Sequence, residues 1–147
     1  MAHYLLDTNH CIYLKNAWSK SPANRKPRET NVLNKFHSLN DPLYTSILVI
    51  GELYYGASNS INQANNFKRV EELKTHLNVI GLTDDLMRFY GDIRAQLPKG
   101  SIIENFDLTI ACTAMFYNLV LVSNDHIFNG LHPNLKLENW AADATIP

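Results

Sequence analysis

Cysteine occurs only twice in this chain, as Cys11 and Cys112, too few for a disulfide framework or a tetrathiolate metal site. Each lies among apolar neighbours, the setting of a small buried hydrophobe. Long apolar runs are also missing, since none approaches the roughly 20 residues that a membrane helix needs. The opening Met1-Ala2-His3-Tyr4 has neither the basic stretch nor the apolar core of a signal peptide. A cytoplasmic protein is the resulting expectation. Several catalytic signatures are absent too. There is no D-x-D-x-D-G calcium loop, no H-E-x-x-H or C-x-x-C zinc pattern, no G-x-S-x-G elbow and no phosphate-cradling glycine loop. The histidines His3, His10, His126 and His132 flank candidate elements and are expected at the surface or in supporting positions.

Excess charge is lacking as well: 13 Lys and Arg stand against 14 Asp and Glu, a net charge of -1. That total argues weakly against nucleic-acid binding, where a basic surface is usual. The distribution is less neutral, because positions 8–28 hold no acid but carry Lys15, Lys20, Arg25, Lys26 and Arg28. This stretch is either a solvated loop or a patch for phosphates. Lys20, Arg25, Lys26 and Arg28 are its candidate contacts.

What is present describes an ordinary globular domain. The 147 residues, 46% of them hydrophobic, suffice for one domain over 1–147 with a core of its own. Tyr4-Leu5-Leu6-Asp7 reads as a short buried strand leading into a helix with Ile12 and Leu14. Residues 18–30 are polar, contain two prolines and read as an irregular basic insertion, after which Thr30 is a candidate helix cap. A strand beginning at Pro42 gives way near Ser46 to a helix through Glu52. Phe67, Val70, Leu73 and Leu77 have helical spacing, and residues 79–82 form a strand. Thr83 caps a helix carrying Leu86, Phe89, Tyr90 and Ile93. Residues 106–117 form an apolar helix stopped at Asn118. Leu119-Val120-Leu121-Val122-Ser123 is the clearest buried strand, residues 135–137 are the last, and 141–147 form a loose tail. Strands alternating with helices predict an α/β fold: a parallel sheet covered on both faces.

Ligands bind such sheets outside the carboxyl ends of the strands, and the acids fall there. Asp7 ends the first strand, Glu52 follows the second by one to two helical turns, Asp107 opens the apolar helix, and Asp125 follows the fourth strand. Taken singly, each has a structural explanation as a cap, a turn or a solvated face. Together, in apolar surroundings, they would repel unless protonated or given a counter-charge. A hard divalent cation with oxygen ligands answers that need and would suit phosphodiester hydrolysis. Glu104, about one turn before Asp107, is a candidate fifth acid.

These residues also carry a resemblance. The chain resembles the PIN-domain ribonucleases, and among them the VapC-like toxins of bacterial toxin–antitoxin pairs. The similarity rests on Leu5-Leu6-Asp7-Thr8-Asn9, on Gly51-Glu52-Leu53 followed by Tyr55-Gly56, and on Tyr90-Gly91-Asp92-Ile93-Arg94-Ala95. It continues through Glu104-Asn105-Phe106-Asp107-Leu108-Thr109, Val122-Ser123-Asn124-Asp125 and Leu137-Glu138-Asn139-Trp140. The resemblance implies a Rossmann-like PIN domain and a Mg2+- or Mn2+-dependent endoribonuclease leaving a 5′-phosphate and a 3′-hydroxyl. It implies Asp7, Glu52, Asp107 and Asp125 as catalytic acids and metal ligands, with Asn9 and Ser123 orienting them. It further implies an RNA substrate, a cognate antitoxin and a homodimer. Tyr54, Tyr55, Phe89 and Tyr90 belong either to the core or to such a contact. The competing reading is a PIN-like module that binds RNA or protein without cutting; a phosphotransferase with Asp7 as nucleophile is disfavoured by Asn9, where such enzymes usually carry a second Asp.

Overall fold

The computed structural model describes residues 2–142. Strand β1 (Tyr4–Leu6) is buried throughout and leads through Asp7 into helix α1 (Thr8–Ser19). Helix α2 (Pro27–Ser38) precedes strand β2 (Leu43–Ser46), and helices α3 (Ile47–Ser58) and α4 (Gln63–Lys74) lead to strand β3 (Asn78–Ile80). Helices α5 (Asp84–Gln96) and α6 (Asn105–Phe116) then return the chain to strand β4 (Val120–Val122), and strand β5 (Leu137–Glu138) completes the sheet.

All four strand pairings are parallel, in the order β3-β2-β1-β4-β5. Leu5 is paired with Tyr44 on one side and Leu121 on the other. Parallel neighbours need crossovers, which are almost always right-handed. The path β1 to β2 to β3 therefore lays α1 to α4 over one face, and the return to β4 lays α5 and α6 over the other. Contacts agree: α1 packs on α2, α3 and α4, while α5 packs on α6. The chain leaves β1 and β4 in opposite directions, which opens a crevice at their carboxyl ends.

Local chemistry explains the boundaries. Ser46 and Thr83 accept from Leu48 N (3.1 Å) and Leu86 N (3.2 Å), the side-chain caps of α3 and α5. Asn118 stops α6 at φ 54, a left-handed conformation that asparagine tolerates. Every residue of α6 from Leu108 to Ala114 is buried, as befits a helix apolar on all sides. Thr109 and Thr113 satisfy their hydroxyls on backbone carbonyls of their own helix at 2.7 Å each. Cys11 and Cys112 are free and fully buried, and burial pushes both thiols up to about 12.

Three boundaries differ from expectation. Residues 18–30 are largely ordered: Trp18 and Ser19 finish α1, Pro22–Asn24 form a 3-10 turn, and α2 begins at Pro27. Lys26, not Thr30, precedes that helix. Pro27 has no N–H to leave unpaired in the first turn, and Glu29 reaches back to accept from Lys26 N at 2.8 Å. The last strand lies at Leu137–Glu138 because Leu121 N and Ser123 N donate to the carbonyls of Lys136 and Glu138, both at 2.9 Å. Of the expected tail, Ala141 and Ala142 accept from the Asn31 amide at 3.2 and 3.4 Å; positions 143–147 lie outside the described residues.

Candidate active site

The crevice between β1 and β4 holds a cavity of about 150 Å³ lined by Asp7, Thr8, Asn9, Glu52, Asp107, Ile110, Asp125 and Phe128. The four acids drawn from separate parts of the sequence thus meet, and no lysine or arginine lines the cavity with them. Size does not distinguish it, since depressions of about 310 and 420 Å³ occur elsewhere on the surface. Its chemistry does.

Asp7 is held most firmly. Its backbone N–H donates to Val122 O at 3.1 Å, so the residue still belongs to the sheet where β1 meets β4. Its side chain is only 9% exposed, and Oδ1 accepts from His10 N at 2.9 Å and lies 3.0 Å from His10 Nδ1. On the far side of the ring, Trp140 N donates to His10 Nε2 at 3.3 Å. An accepting Nε2 carries the lone pair, which places the proton on Nδ1 and makes the ring a donor to Asp7. One oxygen of Asp7 is thereby occupied, and Oδ2 is left for the cavity.

Glu52 is exposed on α3 and steered from α1, for Thr8 Oγ1 donates to its Oε2 at 2.9 Å. Asp125, also exposed, accepts from Ile127 N at 3.0 Å and caps the 3-10 turn His126–Phe128. Ser123 accepts from Asp125 N at 3.1 Å, so it orients the backbone that presents this acid. Asn9 lies on the cavity wall. Asp107, in the first turn of α6, is partly buried. Burial, then the charges of Asp125, Glu52, Glu104 and Asp7, raise its carboxyl above the ordinary Asp value. Glu104 therefore acts on the site electrostatically without lining the cavity.

Among the described residues no three acidic, imidazole or thiol side chains converge tightly enough to hold an ion on their own. The charged groups that do meet are all carboxylates. Such a set suits Mg2+ or Mn2+, which take one or two carboxylates and keep several waters, better than a closed zinc cage.

Sequence reasoning missed one member of this site, Thr8, and left a second, His10, open between the surface and a supporting position. Thr8 positions Glu52 from 44 residues away, a pairing that only the packing of α1 on α3 creates. His10, expected at the surface or in support, is fully buried against Asp7. Its spacing of three from Asp7 at a helix start was the available signal. The basic stretch behaves differently from expectation. Lys20 Nζ binds both oxygens of Glu29 at 2.8 and 3.0 Å, Arg25 Nε donates to Ala17 O at 2.7 Å, and the Arg28 guanidinium sits 5.1 Å from the Tyr13 ring centroid. These three cations are engaged in holding the α1–α2 corner together.

Comparison with known proteins agrees with this architecture. The chain is 36% identical over 138 residues to Ribonuclease VapC2 of Rickettsia felis, covering 93% of this chain and 97% of that one. It is 31% identical over 141 residues to Ribonuclease VapC2 of Haemophilus influenzae, covering 95% and 99%. Among solved structures, VapBC2 from Rickettsia felis, bound to a DNA fragment from its promoter, superposes with a TM-score of 0.76 at 34% identity over 94% of this chain and 98% of that one. DNA-bound VapBC from Salmonella typhimurium gives a TM-score of 0.80 at 28% identity over 95% and 99%. The PIN domain family model matches residues 4–131, and the chain belongs to the PIN domain family.

Proposed function

We propose that this protein is a divalent-metal-dependent endoribonuclease acting as the toxin of a toxin–antitoxin pair. The observation that carries the reading is the meeting of Asp7, Glu52, Asp107 and Asp125 in one cavity at the point where the sheet's strand order reverses. Relatives named Ribonuclease VapC over nearly their whole length support it.

A bound Mg2+ or Mn2+ would supply charge neutralisation at the scissile phosphate and a more acidic water. Asp7, through its free Oδ2, and Asp107 are the residues to hold it, with Glu52 and Asp125 alongside. Asp107 shares its space with three other lining acids, so a cation there removes repulsion that the protein otherwise bears. His10 fixes Asp7, Thr8 fixes Glu52 and Ser123 fixes the Asp125 backbone, so the acids are set before substrate arrives. A module that binds without cutting needs no such set.

The VapBC structures support an antitoxin as partner. Tyr55, 71% exposed on α3, and Phe106, 55% exposed beside Asp107, offer apolar area for an antitoxin or a second copy of the chain. The test is cleavage of a structured RNA with Mn2+ by the wild type and by Asp7→Asn and Asp107→Asn. Wild-type cleavage lost in both variants is the expected result. An inert wild type, or variants as active as the wild type, would refute the assignment.

A further inference from the structure

A second group of cations lies outside the basic stretch at 20–28. Between α1 and α4 a cavity of about 160 Å³ is lined by Lys15, Lys68, Arg69, Ser19, Asn65 and Glu72, with Trp18 at its side. Among the described residues Lys15, Lys68 and Arg69 have neither an ion pair nor a side-chain hydrogen bond. Among the described residues Glu72 is the one acid in the lining, against three cations. Lys15 is half-buried, and burial followed by the nearby Arg69 charge lowers its ammonium below the ordinary lysine value. Three cations kept together without a neutralising partner favour an anion in the space between them.

The location suggests which anion. Thr8, Ile12, Lys15 and Ser19 follow one another at spacings of four, three and four along α1, which places them on one face. Thr8 lines the acidic cavity, and Lys15 lies about 10 Å further along the helix axis at 1.5 Å per residue. One helix face thus joins the acids to the basic cavity. We infer that the Lys15–Lys68–Arg69 cavity seats a backbone phosphate of the RNA strand, to one side of the phosphodiester held at the acids. The two lysines act as point charges and Arg69 as a planar fork for phosphate oxygens. This subsite rests on the ribonuclease reading, but its own test measures binding.

The experiment titrates a fluorescein-labelled single-stranded RNA of mixed sequence into the full chain in EDTA, across a range of KCl concentrations. The wild type is compared with Lys15→Gln/Lys68→Gln/Arg69→Gln, and with Arg88→Gln/Lys99→Gln/Lys136→Gln, which removes the same charge elsewhere. Loss of one phosphate contact reduces the slope of log K against log salt by about 0.7. Loss of charge-assisted bonds weakens binding about tenfold. The α1–α4 variant should show both changes and the control neither. With Mn2+, the same variant should raise KM for this RNA and leave kcat near the wild-type value. Equal slopes for wild type and variant, or equal losses in variant and control, overturn the inference. A rise in Tm of the wild type with inorganic phosphate that the variant lacks, combined with unchanged RNA binding, reassigns the cavity to a free anion and also overturns it. Should the triple variant fail to fold, Lys68→Gln alone, at an exposed position, carries the same slope measurement. RNA binding that shows the expected slope change between wild type and variant, with a wild type that never cleaves, would sink the nuclease reading and leave the phosphate seat standing.

Discussion

Replacing His10 with leucine tests whether the imidazole holds the active-site acid or merely fills space. The side chain is fully buried, with Nδ1 at 3.0 Å from Asp7 Oδ1 and Nε2 accepting from Trp140 N at 3.3 Å. A hydrogen bond to a charged group contributes about 1.5–3 kcal/mol, and a buried N–H left without a partner costs about 1–3 kcal/mol. Leucine's apolar surface offsets about 1 kcal/mol of this, roughly the value of one methylene. The net loss for His10→Leu is therefore about 3 kcal/mol. With an m-value of about 1.5 kcal/mol per molar urea, the unfolding midpoint should fall by about 2 M. His10→Asn places an amide nitrogen where Nδ1 stood, so it should keep the bond to Asp7 and more of the cleavage activity than His10→Leu. Nitrogen NMR of the wild-type ring should show the proton on Nδ1. A leucine variant within about 0.5 kcal/mol of the wild type, or a ring protonated on Nε2 alone, would refute the reasoning.

Four further outcomes follow from the charges. Lys20→Met leaves the Glu29 side chain, 2% exposed, without its cation; breaking a buried pair costs about 3–5 kcal/mol, and the partial exposure of Lys20 puts the expected loss at the lower end, read by urea unfolding. Burial tends to raise Glu29, but the Lys20 hydrogen bond, the Lys26 N–H and the Lys20 charge outweigh it and hold the carboxyl below its ordinary 4.5. The stabilisation from Glu29 is therefore present above 4.5 and lost as pH falls through its depressed value, so the stability gap between wild type and Glu29→Gln should close in acid. Asp107 has the opposite sign: its raised carboxyl costs the metal-free protein stability as pH climbs from the ordinary 3.8 through the raised value. Asp107→Asn should accordingly raise the Tm of metal-free protein at neutral pH and give no gain in strong acid, and equal Tm values at pH 7 would contradict the crowding of acids. Finally, Mn2+ should raise the wild-type Tm and leave Asp7→Asn/Asp107→Asn unmoved.

The fold was legible where burial is two-sided. Leu119-Val120-Leu121-Val122 and Tyr4-Leu5-Leu6 are nearly unbroken apolar runs because both faces of a parallel sheet are covered. Ser46 and Thr83 were readable as helix starts because capping is local chemistry. The acids were legible because strand ends are, and Asp7 and Asp125 sit at two of them. What escaped was every relation set by packing between distant segments. Nothing near Thr8 announces Glu52, and nothing near His10 announces Trp140, 130 positions on. The basic stretch misled for a related reason. Its charges look free along the chain, yet Lys20 closes on Glu29 and Arg25 on Ala17 once α1 and α2 pack. Lys15 looked like one more member of that group, and only the approach of α4 separates it.

The placement of β1 between β2 and β4 also determines when the protein can become active. Asp7 and Asp125 lie far apart in the sequence, and the two come to one cavity only after β4 docks on β1 in the middle of the sheet. A fragment cut short before residue 120 has at most three of the four acids and lacks β4, which forms one side of the groove. The four acids can therefore share one cavity only once synthesis has passed Asp125 and β4 has folded onto β1.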